Sequence, residues 1–171
     1  MTEAEFRDAF RQHKDVLFRF AYRMTGLVET AEDVVQDCFM TLWRKPEAYQ
    51  QERGALRPFL LGIARNLILK RRRGDRPQEV LDDEALICAP LDVMEAERGE
   101  AVATAVAQLP LLQREVLVLA EYEEIPLEQI AQTTGAGLAA VKSRLHRARQ
   151  NLRRMLAPLL EPKGVSYGTK R

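Results

Sequence analysis

A chain of 171 residues holds one medium domain or two small ones, and an apolar share of 46% is that of an ordinary globular protein. The net charge of +1 hides an uneven distribution, because acids and bases are sorted into blocks along the chain. Met1 to Phe10 is acidic and polar, no apolar run approaches the roughly 20 residues that span a bilayer, and Cys38 and Cys88 lack metal-ligand spacing, so a cytoplasmic chain without disulfides, metal or membrane insertion is expected.

The first helix is predicted from about Phe6 to Met24, where Phe6, Phe10, Leu17, Phe20, Ala21 and Met24 recur mostly at three- and four-residue steps before Gly26. Thr30 and Asp33 resemble a capping box with Asp in place of Glu. They open a second stripe of Ala31, Val34, Val35, Cys38, Phe39, Leu42 and Trp43, all expected to be core, which stops before Pro46. A third helix from about Pro58 to Arg73 is expected to bury Phe59, Leu60, Ile63, Ala64, Leu67 and Ile68. Gly74 to Leu91 carries Pro77, Pro90 and five acids with little periodicity, and is read as a linker.

A helix from about Asp92 to Gln108 then leads to Pro110, which suits a first helical position, and to a stretch in which Leu112, Val116, Leu117 and Ala120 face inward. After Pro126 come a short helix, Leu127 to Thr134, a turn Gly135-Ala136-Gly137, and a long helix from Leu138 to about Leu156, with a frayed tail past Pro158. The expected fold is all-α: an N-terminal unit over 1–74, an acidic linker over 75–91, a C-terminal unit over 92–160 and a tail over 161–171.

Leu127 to Arg149 reads as a helix-turn-helix, in which Gly135 supplies the left-handed residue that ends the first helix. Leu138, Val141, Leu145, Ala148 and Leu152 are core positions of the second helix, leaving Lys142, Ser143, His146, Arg147 and Gln150 on a face suited to phosphates and base edges. No Asp or Glu occurs between Gln129 and Leu160. A second basic block runs from Arg57 to Arg76, with seven cations against the single acid Asp75, and Glu79 to Glu100 between the blocks holds eight acids against Arg98. Asp33, Gln36 and Asp37 share one outer helix face, which taken alone is an ordinary solvated surface. The arginines at the end of the third helix would likewise suit a helix dipole.

The segment LPLLQREVLVLAEYEEIPLEQIAQTTGAGLAAVKSRLHRARQNLRRML resembles the fourth conserved region of bacterial extracytoplasmic-function (ECF) sigma factors. AEDVVQDCFMTLWRK and FLLGIARNLILKRRR are similar to their second region, so the resemblance covers roughly Phe6 to Leu156. It implies binding of the minus-35 promoter element by Lys142, Ser143, His146 and Arg147, supported by Arg144 and Arg149. It implies docking on core RNA polymerase through Asp33, Gln36 and Asp37, and minus-10 contacts by Arg65, Asn66, Lys70, Arg71, Arg72 and Arg73 with the loop over 45–57. An anti-sigma factor and a monomeric free state are implied as well. Ala140 stands where Thr is common, Gly137 where Pro is, Phe59 where Trp is and Lys70 where Asp is.

An enzyme lacks parts here: there is no phosphate-binding glycine loop and no nucleophile elbow, His13 and His146 are the only histidines, and no cofactor is expected. The rival reading is a free-standing helix-turn-helix regulator. A second arginine-rich helix and an acidic spacer between two DNA-binding units favour the sigma factor.

Overall fold

The computed structural model describes residues 1–75 and 98–160, among which all regular structure is helical. The expected linker beyond Asp75, the helix expected from Asp92 as far as residue 97, and the tail over 161–171 lie outside the described residues.

Helix α1 spans Glu3–Thr25 and begins three residues earlier than the apolar pattern, because Thr2 and Glu5 form a reciprocal capping box. The Thr2 amide donates to Glu5 Oε2 at 2.6 Å and the Glu5 amide to Thr2 Oγ1 at 3.2 Å. These bonds hold the Glu5 carboxyl below its ordinary range. Gly26, at φ 74°, closes the helix by donating its amide to Tyr22 O at 2.7 Å.

Helix α2, Val28–Arg44, starts ahead of the expected capping box, with Leu27 at the N-cap and no side-chain bond there. Thr30 and Asp33 therefore sit inside the first turns. Ala31, Val34, Cys38, Phe39 and Leu42 are buried as their spacing predicts. Trp43 is not: it lies one step past the buried stripe, 47% exposed, with the Phe6 ring edge-on at 4.9 Å. Burial, reinforced by Asp37, pushes the Cys38 thiol up to about 12, so it is un-ionised at neutral pH.

Two short 3₁₀ turns, Pro46–Ala48 and Gln51–Arg53, lead into α3, Leu56–Asp75. Leu60, Leu61, Ala64, Ile68 and Leu69 of α3 are buried. Phe59, Ile63 and Leu67 are half-buried, because α3 packs on α1 and α2 along one side and on α6 along another.

Helix α4, Arg98–Gln108, is followed by α5, Leu111–Leu117, whose last turn widens into one π-helical turn over Val118–Tyr122. Pro110 occupies the N-cap of α5 rather than its first helical position, and Pro126 does the same for α6, Leu127–Thr134. Gly135 adopts φ 71°, the left-handed end expected of it, and leads to α7, Leu138–Leu160. That helix continues through Pro158 to Leu160, four residues past the end expected near Leu156.

The two halves are not held apart. α1 packs on α4 and α5, α3 packs on α6, and one apolar cluster runs from Leu17, Phe20 and Leu61 to Leu111, Val116, Ile130 and Val141. Arg114 of α5 fastens the seam. Its Nη1 donates to Met24 O, at the end of α1, at 2.8 Å, and its Nη2 donates to Leu109 O at 3.0 Å and to Ala107 O. Burial, then the nearness of Arg72, lowers this guanidinium to about 10, still charged at neutral pH.

Candidate nucleic-acid interface

The acidic face of α2 is built as the stripe requires, with Asp33 and Gln36 exposed and Asp37 half-buried above Val34 and Cys38. It is not a bare acidic patch. Arg71 of α3 donates Nη2 to Asp37 Oδ2 at 2.8 Å and Nη1 to Asp33 Oδ2 at 3.3 Å, so one guanidinium bridges both carboxylates. Beside Gln36 an apolar groove of about 560 Å³ opens between α1 and α2, lined by Phe10, Phe18, Val35, Phe39 and Met40 among others.

The residues expected to hold the minus-10 strand fall on α3 and meet different surroundings. Asn66, Lys70 and Arg73 are exposed, Arg72 is half-buried, and Arg71 is engaged with α2. Arg65 is engaged with the other half of the molecule: its Nε donates to Glu115 Oε1 on α5, and its Nη1 lies 3.2 Å from Asn66 Oδ1. A pocket of about 350 Å³ adjoins Asn66, walled by Tyr49, Phe59 and Gly62. The two rings sit 5.4 Å apart, and Tyr49 Oη donates to Gly54 O at 3.2 Å. Gln129, Gln132 and Thr133 of α6 form the opposite wall.

On α7, Val141, Leu145 and Ala148 are buried, while Leu138 and Leu152 are half-buried. This anchoring turns Lys142, Ser143 and His146 fully outward, with Arg144 and Arg147 half-buried at the margins. Arg149 is exposed but donates Nε to Glu121 Oε1 at 2.9 Å. The helix-turn-helix therefore presents a polar, cationic outer face on an apolar base, the arrangement that phosphate and base-edge contacts require.

Sequence comparison places these surfaces in known company. The family model of sigma-70 region 2 matches residues 9–77 and that of sigma-70 region 4 matches residues 99–152. The ECF RNA polymerase sigma factor SigL of Mycobacterium tuberculosis (strain H37Rv) is 34% identical over 161 residues, 91% of each chain. This chain belongs to the ECF RNA polymerase sigma factors. SigE of Mycolicibacterium smegmatis is 36% identical over 155 residues, which cover 86% of this sigma factor but 60% of that relative. The fold also matches the sigma factor RpoE, solved in complex with the anti-sigma factor NepR from Bartonella quintana, at a TM-score of 0.69 and 25% identity over 90% of this chain and 97% of that one. CnrH, solved with the cytosolic domain of CnrY, shares the fold at a TM-score of 0.69 and 23% identity over 92% of this chain and 90% of that one.

The sigma factor binds core RNA polymerase and directs promoter recognition and transcription initiation. The match of its N-terminal half to region 2 removes the free-standing regulator as a reading. Among the described residues, no helix is long and apolar enough to cross a membrane.

Four charged residues outside the predicted site residues, Arg23, Arg57, Glu115 and Glu123, meet at the seam. Arg57, at the start of α3, donates Nη2 to Glu123 Oε2 at 2.7 Å, and Arg23 Nη1 lies 3.6 Å from Glu123 Oε1. Glu115 is fully buried and Glu123 is 2% exposed. The one signal for Glu115 was the polar triplet Gln113-Arg114-Glu115 inside the apolar run LPLLQREVLVLA, where charges are tolerated only if a partner arrives from elsewhere.

Proposed function

We propose that this sigma factor divides its labour among three surfaces. The N-terminal unit, residues 1–74, docks on core polymerase through Asp33, Gln36 and Asp37 and holds the minus-10 strand with Arg65, Asn66, Lys70, Arg71, Arg72 and Arg73. The C-terminal unit, residues 92–160, reads the minus-35 element with Lys142, Ser143, Arg144, His146, Arg147 and Arg149. The observation that carries the assignment is the outer face of α7, where Lys142, Ser143 and His146 stand exposed over buried Val141, Leu145 and Ala148. Cations there contact phosphates, and Ser143, His146 and the arginines can reach base edges.

The chain acts as a specificity subunit rather than as an enzyme, in the cytoplasm. Binding of two promoter elements by two tethered units raises the effective concentration of the second contact once the first is made. The RpoE relative was solved with an anti-sigma factor, which supports a partner of that kind for this chain too.

The test is co-elution with bacterial core RNA polymerase at physiological salt, without DNA, for the wild type and for a variant carrying alanine at Asp33, Gln36 and Asp37. The wild type is expected to co-elute and the variant to separate. Arg147→Ala is expected to keep polymerase binding and lose promoter-specific transcription. If both variants show the same defect, the division of labour is wrong.

A further inference from the structure

Part of the surface assigned above to the minus-10 strand, at Arg65 and the pocket beside Asn66, is met in this structure by the C-terminal half of the same chain. Arg65 keeps 14% of its side chain exposed and spends its guanidinium on Glu115, which is fully buried. Arg57, at the other end of the same stretch of α3, spends its own on Glu123. The π turn over Val118–Tyr122 ends the α5 segment so that Glu123 faces inward, its amide donating to Val118 O at 3.1 Å. An acid that accepts from a guanidinium in a protected site supplies the charge and acceptor oxygens that a backbone phosphate would.

Shape repeats what charge shows. Gln129, Gln132 and Thr133 of α6 form one wall of the pocket beside Asn66, the space an unstacked base would need. Gly62 lies in the interior of α3, where glycine costs about 1 kcal/mol relative to alanine. A Cβ at Gly62 would come within 3.2 Å of Thr133 Cγ2, a tight contact, so α6 sits close against α3 at this point.

We propose that the free sigma factor is closed on itself: Glu115 and Glu123 stand in for strand phosphates at Arg65 and Arg57, and α6 stands in for the strand at the pocket. Single-stranded DNA and the C-terminal half then compete for one surface, and Arg57 joins the strand-binding residues. This rests on the assignment of α3 to the strand. The apparent affinity for a strand is the intrinsic affinity scaled by the fraction of open molecules. Any partner that separates the halves therefore raises it.

The test uses the full chain and a fluorescent single-stranded oligonucleotide of mixed sequence, read by anisotropy at low salt. Glu115→Gln with Glu123→Gln is expected to bind it about tenfold more tightly than the wild type, a ratio equivalent to ~1.4 kcal/mol. Thr133→Gln, a neutral wedge on α6 that alters no α3 residue, is expected to move in the same direction should the double variant fold poorly. Gly62→Cys with Thr133→Cys, in a Cys88→Ser chain, is expected to lose binding when oxidised and recover it when reduced. Equal binding by the oxidised and reduced forms, or no gain in either opening variant, overturns the closed state. Adding Lys70→Ala and Arg73→Ala to the opened variant separates the two ideas. If these remove the gain, the α3 assignment and the closed state both stand. A gain that survives them shows the strand binding elsewhere, and both fall. Weakening of the wild type by the same two changes, with no gain on opening, leaves the assignment standing and removes only the closure.

Discussion

The two basic helices of this sigma factor carry cations in similar supply, yet α3 and α7 spend them differently. On α3 the seam takes Arg65 for Glu115 and Arg57 for Glu123, and the α2 face takes Arg71 for Asp33 and Asp37. On α7, Lys142, Ser143 and His146 point away from the molecule, and the ion pair of Arg149 with Glu121 is a surface one. The same residue type is thus a structural element in one place and an exposed contact in the other. At the seam the partner acid is buried, Glu115 fully and Glu123 to 2% exposed, whereas the side chain of Glu121 is 44% exposed, so only the seam pairs are protected from solvent.

The largest effect that contrast predicts is Arg65→Ala. It leaves the buried Glu115 carboxylate without this guanidinium, which should destabilise the native state by about 3–5 kcal/mol. Urea unfolding followed by circular dichroism would check it, and a loss under 1 kcal/mol would mean Glu115 is better solvated than its burial indicates. Next comes Arg114→Met, which keeps the bulk but leaves the carbonyls of Met24, Ala107 and Leu109 without their donor. A loss of about 1–3 kcal/mol is expected, with the seam the first part to gain amide hydrogen exchange.

On α7 the expected effects move from stability to binding. Lys142→Ala should leave the unfolding midpoint within about 0.5 kcal/mol of the wild type, the range of ordinary surface changes. If Lys142 meets a phosphate, the slope of log affinity against log salt for minus-35 duplex should fall by roughly 0.9. An unchanged slope would remove Lys142 from the DNA interface. The smallest effect is that of Arg149→Ala, whose pair with Glu121 is exposed on both sides and is worth about 0–1 kcal/mol. A double-mutant cycle with Glu121→Ala exceeding that range would blur the distinction between the two helices.

Much of this arrangement was legible in the sequence. The apolar steps of α2 and α3 and, Phe10 apart, of α1 located their buried faces, Gly26 and Gly135 marked two helix ends, and the Val141, Leu145 and Ala148 spacing gave the orientation of α7. What escaped came from tertiary context. Trp43 extends the stripe of α2 by one step, yet among the described residues it is left 47% exposed. Leu111 to Leu119 are buried without a break, because α5 is enclosed by both halves, so periodicity could not sort Gln113, Arg114 and Glu115 from their apolar neighbours. The acidic spacer suggested separated units, whereas the seam depends on pairs formed between distant points of the chain, and one-dimensional charge blocks carry no record of such pairing.

Those distances along the chain also set an order of events during synthesis. Glu115 follows Arg65 by 50 residues and Glu123 follows Arg57 by 66. A ribosome adding roughly 5–20 residues per second makes the cations roughly 3–13 s before the acids that answer them. For that interval the nascent N-terminal unit carries Arg57 and Arg65 without their acids in a crowd of ribosomal and messenger RNA, and its C-terminal half is the last occupant to arrive.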